Sequence, residues 1–400
     1  MRLLTFEDAF RVLSERISPL KGRVSIPIES SLNQVLVGDI LADDDYPRFD
    51  NSSVDGFALG GSEPCEPGQE FTVRETIAAG NEPTRPLMSG DAVRVYTGAP
   101  VPLGTWGVVM QEDVRGDLNA PRIQIAEHVA TGQNIRPKGS EVVQGEVLLK
   151  SGTQLNSGGV ALLALAGQAS VFVRPDPRVG VVATGDEVIE HRDTPKGAQI
   201  RDTSQPMLQA ILSRFGAQNV QSARVQDDPI ALKRQLLELA SQTDLIVVTG
   251  GVSVGARDFL PETLQEVGEV HFHGVSMRPG KPLLFGSIGS TFVFGLPGNP
   301  ASSYVACQLF VRESVRLLRG ATASPLLWVQ AQLGEDHLPC GREDFVRVAL
   351  EWREGRLWAE PRYEQASYGL RSLAGCHGIA RLSAEVVIGK GELCHVLLTV

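Results

Sequence analysis

Three segments of the sequence combine glycines with polar side chains, a composition that suits the binding of an anion or a metal ion. They are Thr184–Glu187 (TGDE), Thr249–Asp258 (TGGVSVGARD) and Pro297–Pro300 (PGNP). Glycines let backbone N–H groups approach an anion closely, and a following helix adds its positive N-terminal end. Glu187 and Asp258 would repel a phosphate, but a bridging Mg²⁺ takes carboxylates on one side and phosphate oxygens on the other. The segments together predict a metal-assisted site for a phosphorylated or nucleotide ligand.

This prediction depends on all three loops meeting at one edge of a sheet, because a single glycine-rich turn after a strand is usually only a turn. None of the three is a Walker loop or a G-x-G-x-x-G fingerprint. Those motifs mark the usual nucleoside triphosphatases and dinucleotide-dependent dehydrogenases. Neither class is therefore expected.

Two further segments carry charge next to proline. Arg278 and Lys281 lie in SMRPGKP between two predicted strands, where they form either an anion clamp or a solvated surface loop. In Asp227-Asp228-Pro229, the carboxylates could hold a metal ion. Asp228 could instead cap the following helix, with Pro229 at its first position. Both roles remain open.

An alternation of strands and helices must position these loops. Near-continuous apolar strands begin at Val179, Asp244 and Thr291, and a helix is predicted after each. The predicted helices are Thr203–Phe215, Leu260–Val267 and Ala301–Leu318. This pattern indicates a parallel sheet covered on both faces, in which ligands bind beyond the carboxyl ends of the strands.

The remainder of the chain has a different character. Thr5 is a predicted N-cap of an amphipathic helix, with Asp8 at the third helical position. Residues 46–145 contain short alternating strands between Gly/Pro turns and predict a mainly β insert. Residues 325–400 return to strands, including a hairpin that turns at Arg353 to Gly355, and predict a small β-barrel or sandwich.

Composition excludes several classes of protein. The formal net charge is −10, whereas general nucleic-acid binders are usually basic. No apolar run of about 20 residues predicts a membrane span, and MRLLTFEDAF has acids where an export signal would need its apolar core. The five cysteines are scattered without a C-x-x-C pair, so neither a disulfide framework nor a structural zinc site is expected. We expect a cytoplasmic protein.

Seven segments are specific in combination. PRFDNSSVDGFAL, RVYTGAPVP, IRPKGSEV, VVATGDEV, VVTGGVSVGARDF, MRPGKPLLFG and FGLPGNPAS occur in this order over residues 47–303. With them the chain resembles the molybdopterin molybdenumtransferase family, which includes MoeA of bacteria and the E domain of gephyrin. The resemblance extends over essentially the whole chain.

The resemblance implies a multidomain α/β plus β fold: a central doubly wound α/β domain of the molybdopterin-binding type, an inserted mainly β domain and a C-terminal β-barrel. The implied division is 1–45 with 146–176 as an elongated linking domain, then 46–145, 177–324 and 325–400. It also implies a homodimer whose active site is shared between subunits. Adenylylated molybdopterin and molybdate would give molybdenum cofactor and AMP with Mg²⁺. Expected partners are the molybdopterin adenylyltransferase and molybdoenzyme maturation proteins, with no nucleic acid and no membrane.

Site residues follow from the matching motifs. Asp55, in a segment that in the family reaches the partner subunit's cleft, is expected to act in catalysis with Glu187 and Asp258. Glu187, Asp227, Asp228, Asp258 and Glu141 are the candidate metal ligands. The expected binding residues are Thr97, Thr184, Gly185, Gly250, Gly251, Ser253, Arg278, Lys281, Pro297, Gly298, Asn299, Pro300, Arg347 and Ser367. The chain departs from the family at Glu141, usually Asp, and at Arg278, where some members have Lys; Gly274 stands where one bacterial member has a further lysine.

Two alternatives remain. The related molybdopterin adenylyltransferase normally stands alone and carries a GGTG-type loop, whereas this chain has GGVS at Gly250–Ser253 and a β insert. A scaffold that only holds the cofactor is the non-enzymatic alternative, and the retention of all the acids argues against it.

Overall fold

The computed structural model describes residues 3–253, 258–322 and 326–399, without the side chains of 218–220. The chain forms two compact units. The first comprises Met1–Val37, Gly152–Asn156 and Ser170–Val400, and the second Gly38–Ser151 and Ser157–Ala169. No helix in the described ranges is long and apolar enough to cross a membrane. The finer division into four domains remains a prediction.

Helices lie mainly in the first unit and begin close to the predicted positions. The oxygen Oγ1 of Thr5 accepts a hydrogen bond of 3.1 Å from the backbone N–H of Asp8, so the predicted N-cap is confirmed. The α-helices are Phe6–Arg16, Ser157–Leu165, Ser204–Arg214, Pro229–Ala240, Leu260–Val267, Pro300–Ala306 and Arg312–Arg319. A π-helical turn, Cys307–Val311, joins the last two, which the sequence predicts as one helix. Gly320 ends that helix in the left-handed conformation at φ +68°.

The central sheet has six strands. In spatial order they are Gln218–Val225, Arg178–Thr184, Leu245–Thr249, Thr291–Leu296, Leu284–Ile288 and Glu269–His273. The first four are mutually parallel, as predicted. Leu284–Ile288, which is not among the strands predicted to be parallel, is antiparallel to both of its neighbours. The physical reason is the turn at Gly289, where Ile288 pairs with Thr291: a two-residue connection cannot hold the crossover that parallel strands need.

Both faces of this sheet are covered. Val179 and Val181 pack in one apolar core with Leu208 and Phe310, while Val182 and Val248 face a second core. Because successive side chains of a strand point to opposite faces, a strand buried on both sides must be apolar throughout. The doubly covered sheet is confirmed.

The second unit is mainly β, as predicted. Its six-stranded sheet has the spatial order Thr105–Met110, Gly56–Gly60, Asp91–Val95, Glu70–Ile77, Arg122–Ile125 and Val114–Arg115. Short elements occur in both units. Among the described residues, two-stranded pairs are formed by Val24–Pro27 with Ser170–Val173, Ile40–Leu41 with Val147–Leu149, Asn51–Ser52 with Ile135–Arg136, and Val188–Ile189 with Ile200–Arg201. Short 3₁₀ turns are Ile28–Ser30, Gln111–Asp113 and Leu370–Leu373.

The C-terminal strands close into a five-stranded barrel. Their order is Glu343–Arg353, Arg356–Pro361, Trp328–Leu333, Leu393–Leu398 and Gly378–Leu382, which pairs back to the first strand. The predicted hairpin is confirmed, with Arg353 paired to Arg356 across Glu354 and Gly355, both at positive φ. A two-residue strand, Met277–Arg278, leaves the central region and pairs with Glu343–Arg353. This short pairing joins the α/β region to the barrel.

Candidate functional site

The carboxyl ends of the parallel strands bring the predicted loops together. The hydroxyl of Thr184 donates to the carbonyl oxygen of Thr249 over 3.2 Å, and the backbone N–H of Gly250 donates to the carbonyl of Leu296 over 3.1 Å. Arg178–Thr184 comes first in the chain, and the next two parallel strands lie on its two sides. The strand order therefore reverses beside Thr184, and such a switch point is where open α/β sheets bind ligands.

Glycine is required where these loops touch. Gly250 and Gly251 have φ of +86° and +64°, and a Cβ on Gly250 would lie 2.6 Å from Oγ1 of Thr184. A Cβ on Gly298 would make only an ordinary van der Waals contact, 3.5 Å from the Cα of Gly250. Glycine is therefore needed at Gly250 and Gly251, whereas Gly298 simply lies against the backbone of Gly250. Ser253 follows on the surface, while Val254 to Arg257 lie outside the described residues.

The acids of the edge lie in the loops after the first three strands. The carboxylate of Glu187 is folded over Gly185, where its oxygens would lie 2.8 and 3.0 Å from a Cβ. Asp186, which the sequence analysis did not select, accepts a 3.1 Å hydrogen bond from the backbone N–H of Asp227. Asp258 is half-buried just before the helix Leu260–Val267. We call Asp186, Glu187, Asp227 and Asp258 the acidic loops.

Asp228 has a structural role. Its carboxylate accepts a 3.0 Å hydrogen bond from the backbone N–H of Ile230, and Pro229 occupies the first turn of the helix. The predicted cap is therefore confirmed, and a metal role for Asp228 stays a prediction. Within the described ranges, no three His, Cys, Asp or Glu side chains are grouped as metal ligands. Mg²⁺ is commonly held by one or two carboxylates together with substrate phosphates and water, so the acidic loops fit a cation shared with a ligand.

The other half of the edge borders a cavity of about 590 Å³ between the α/β sheet and the barrel. Six predicted binding residues line it: Arg278, Lys281, Pro297, Asn299, Arg347 and Ser367. Arg342, Asp344 and Glu364 also line it. The lining thus carries four cationic side chains and two carboxylates, and we call it the basic cleft. Although the whole chain carries a formal net charge of −10, the lining of this cavity has an excess of positive charge.

The loop Pro297–Pro300 and a barrel segment fix one wall of the basic cleft. Asn299 donates from Nδ2 to the hydroxyl oxygen of Ser367 over 2.9 Å. The backbone N–H of Ala301 donates to the carbonyl of Ser367 over 3.2 Å. Pro300 begins a helix here, so its fixed φ suits the first helical position.

The arginines of the basic cleft differ in their surroundings. Arg278 donates to the buried carboxylate of Asp344, and this hydrogen bond raises the pKa of the Arg278 guanidinium. Arg347 is 1 % exposed and donates from Nε to Ser372 and from Nη2 to the carbonyl of Ala366. Burial lowers the pKa of Arg347, although an arginine stays protonated in proteins. The hydrogen bonds to Ser372 and Ala366 hold this guanidinium inside the wall, and the carboxylate of Asp344 is near enough to favour its charged form.

Comparisons with known proteins cover the chain almost completely. It matches models of the MoeA N-terminal region (domain I and II) over residues 4–167, a probable molybdopterin binding domain over 180–317 and the MoeA C-terminal region (domain IV) over 331–399. A molybdopterin molybdenumtransferase of Staphylococcus epidermidis is 34% identical over 340 residues, which are 83% of this chain and 80% of that protein. The chain belongs to the molybdopterin molybdenumtransferase family.

A second curated relative and a solved structure point to the same family. The molybdopterin molybdenumtransferase of Staphylococcus aureus strain MSSA476 is 36% identical over 319 residues, 78% of this chain and 75% of that protein. The crystal structure of a molybdopterin biosynthesis MoeA protein from Pyrococcus horikoshii superposes with a TM-score of 0.80 at 28% identity, covering 99% of this chain and 100% of that one. The predicted family and fold class are confirmed.

In this member of the molybdopterin molybdenumtransferase family, Asp55 and Thr97 lie in the second unit and contact each other. The backbone N–H and the hydroxyl of Thr97 both donate to Oδ1 of Asp55 over 2.8 Å. These two donors, the backbone one foremost, lower the pKa of Asp55. Glu141, also in the second unit, borders a cavity of about 790 Å³ with Asp43, Asp44 and Asp45.

Proposed function

We propose that this chain inserts molybdenum from molybdate into adenylylated molybdopterin, with release of AMP and the help of a divalent cation such as Mg²⁺. The observation that carries the proposal is the division of one sheet edge into the acidic loops and the basic cleft. The acidic loops suit a cation that assists cleavage of a phosphoanhydride. The basic cleft suits the binding of the oxyanion that is delivered. Membership of the molybdopterin molybdenumtransferase family supports this assignment.

The acidic loops would hold the cation. Glu187, Asp227 and Asp258 offer carboxylates at the ends of neighbouring strands, and Gly185, Gly250 and Gly251 leave backbone space beside them. When bound, Mg²⁺ supplies charge neutralisation for the phosphates as the anhydride breaks. Asp186 positions Asp227 by binding its backbone N–H. Thr184 donates its hydroxyl to the carbonyl of Thr249 and so holds the two residues that follow, Gly250 and Gly251, which we call the glycine loop.

The basic cleft would bind the anions. Lys281 presents a compact charge at its edge, and Arg278, oriented by Asp344, presents a directed guanidinium. Arg347 adds positive potential from within the wall. Asn299 and Ser367 fix the loop against the barrel. Rate acceleration would come from positioning and electrostatic stabilisation, without a covalent intermediate on the protein.

We further propose a homodimer in which the Asp55–Thr97 pair acts in the cleft of the second copy. The basis is the half-buried carboxylate of Asp55, which Thr97 orients through two hydrogen bonds that favour its ionised form. Glu141 would supply its carboxylate from the same unit. The substrate would come from a molybdopterin adenylyltransferase and the product would pass to molybdoenzyme maturation proteins.

The test is AMP release on mixing the full chain with adenylylated molybdopterin, molybdate and Mg²⁺. We expect AMP and molybdenum cofactor to appear together and only when molybdate is present. AMP that appears equally fast without molybdate would show that cleavage and insertion are not coupled. Consumption of ATP to make the adenylylated pterin would identify an adenylyltransferase instead. An Asp258→Ala variant that loses partner binding but keeps cofactor synthesis would identify a scaffold.

A further inference from the structure

Arg342 is a cationic residue of the basic cleft that no motif singled out. It immediately precedes the barrel strand Glu343–Arg353, and the next residue, Glu343, pairs with Met277. Its Nη1 donates to the carbonyl of Met277 over 3.2 Å, and it lines the same cavity as Lys281. The backbone on both sides is held, because Gly341 donates to Ala384 over 3.0 Å. Arg342 is therefore positioned by the fold before any ligand binds.

The other arginines of the cleft are committed to protein groups. Arg278 forms an ion pair with Asp344, whose side chain is 5% exposed. Arg347 donates to Ser372 and Ala366 inside the wall. In the described part of the chain, neither Arg342 nor Lys281 has a carboxylate within ion-pair distance. Arg342 and Lys281 thus carry positive charge that no carboxylate of the described structure offsets, and this charge adds to the guanidinium that Arg278 presents to the cleft.

The chemistry of Arg342 defines what it can bind. A guanidinium has five N–H donors in a planar fork, and the contact with Met277 occupies only Nη1. The rest of the fork matches two oxygens of a tetrahedral oxyanion. Lysine cannot reproduce this, because its ammonium is a point charge without the fork.

We propose that Arg342 binds a tetrahedral oxyanion in the basic cleft and shares its charge with Lys281. This inference rests on the proposed function and adds a binding residue to it. The oxyanion is either free molybdate or a phosphate of the adenylylated substrate, and both present the same tetrahedral oxygens. Asp344 supports this assignment because its ion pair holds the guanidinium of Arg278 in one place.

The experiment compares the full chain with Arg342→Gln, Arg342→Lys and Arg356→Gln. Arg356 is the matched control, an exposed arginine of the same barrel at its hairpin, away from the cleft. Calorimetric titrations with molybdate and, separately, with AMP measure the two dissociation constants. Loss of charge-assisted hydrogen bonds predicts that Arg342→Gln weakens one of these affinities by about tenfold to a hundredfold. Arg342→Lys should be intermediate and Arg356→Gln unchanged.

The two titrations identify the source of the oxyanion. Weakening confined to molybdate assigns Arg342 to the metal oxyanion, and weakening confined to AMP assigns it to the phosphate. Circular dichroism checks folding. Should Arg342→Gln fail to fold, Arg342→Lys decides, because its ammonium can still reach the carbonyl of Met277. A folded variant that binds both anions as the parent does, while the parent releases AMP with molybdate, overturns the role of Arg342. A parent that binds neither anion and releases no AMP overturns the proposed function instead.

Discussion

Asp344 and Arg278 are partners twice over: they face each other in the β-ladder, and their side chains form an ion pair. The carboxylate is buried, and Nδ1 of His337 lies 3.9 Å from it, so a second side chain with ring nitrogens lies close to Asp344. This pair links the loop Ser276–Pro282 to the barrel. It also removes one positive charge from what the basic cleft offers to a ligand.

Asp344→Asn should therefore strengthen anion binding. Asparagine keeps an acceptor oxygen for Arg278 but removes the negative charge, so we expect the affinity for molybdate to rise by up to about tenfold. Calorimetric titration measures it. Glu385→Gln is the control, since it removes an exposed acid from the same barrel. A weaker affinity in Asp344→Asn would mean that orientation of Arg278 matters more than charge.

Thr97→Val should shift the acid limb of the pH–rate profile. The pKa of Asp55 lies below its usual value because Thr97 donates twice to the ionised form. Removing the hydroxyl raises this pKa towards the ordinary value, so the carboxylate becomes protonated at a higher pH. Activity should then be lost at a higher pH as the solution is acidified, which a profile of kcat/KM on the acid side measures.

The control for that variant is Thr84→Val. Thr84 donates its backbone N–H and hydroxyl to Glu75 in the same way within the same unit, at 3.2 and 2.8 Å. It is not among the proposed site residues. An acid limb that moves equally in both variants, or in neither, would contradict a role for Asp55 in the reaction.

Gly250→Ala should impair activity more than stability alone explains. The residue has φ +86°, and a Cβ would come within 2.6 Å of the Thr184 hydroxyl, so the glycine loop must shift. Gly289→Ala is the control, because Gly289 has φ +58° and open space around it. Both should lose about 1 kcal/mol of unfolding free energy or somewhat more from left-handed strain. Urea denaturation measures this loss.

Only Gly250→Ala should also lose AMP-forming activity. We expect a loss of about tenfold or more, because a displaced loop no longer positions the reacting groups. Equal activity of the two alanine variants would show that the contact between Thr184 and the glycine loop does not serve the reaction.

Asp176→Asn should destabilise the first unit strongly. Asp176 Oδ1 lies 2.9 Å from Nε of Arg319, and their side chains are 6% and 4% exposed. Asparagine leaves the guanidinium charged and buried without its partner, which costs about 3–5 kcal/mol. Urea denaturation followed by circular dichroism measures this. Glu266→Gln breaks the exposed pair with Lys233 and should cost less than about 1 kcal/mol. Equal losses would show that Asp176 is effectively solvated.

The sequence predicts the frame of this protein where the signals are local. Strands such as Leu245–Thr249 are apolar throughout, and the hairpin at Glu354 and Gly355 has a turn that allows positive φ. The π-helical turn Cys307–Val311 leaves no such signal, because its apolar residues fit an uninterrupted helix equally well. The antiparallel strand Leu284–Ile288 escapes prediction because pairing direction is set by the short turn after it.

The candidate site is also predictable only in part, because local signals in the sequence do not show which distant segments pair. Thr184 ends one strand of the sheet, and Gly250 and Asn299 come after two others, so their proximity follows from topology. Arg342 and Asp344 lie more than sixty residues from Arg278, and nothing in GREDF indicates that they meet it. Their meeting depends on Met277–Arg278 pairing with a barrel strand. Arg347 is predicted as a binding residue, yet its side chain lies inside the wall of the cleft.

The short strand Met277–Arg278 also gives the basic cleft a mechanical property. Its ladder ties Arg278 to the barrel, whereas Lys281 lies three residues before the sheet strand Leu284–Ile288. The positive charges of the basic cleft are thus fixed to two different supports, Arg278 and Arg342 to the barrel strand and Lys281 to the sheet. The spacing between these charges, and with it the size of anion that could bridge them, is set where the barrel meets the sheet.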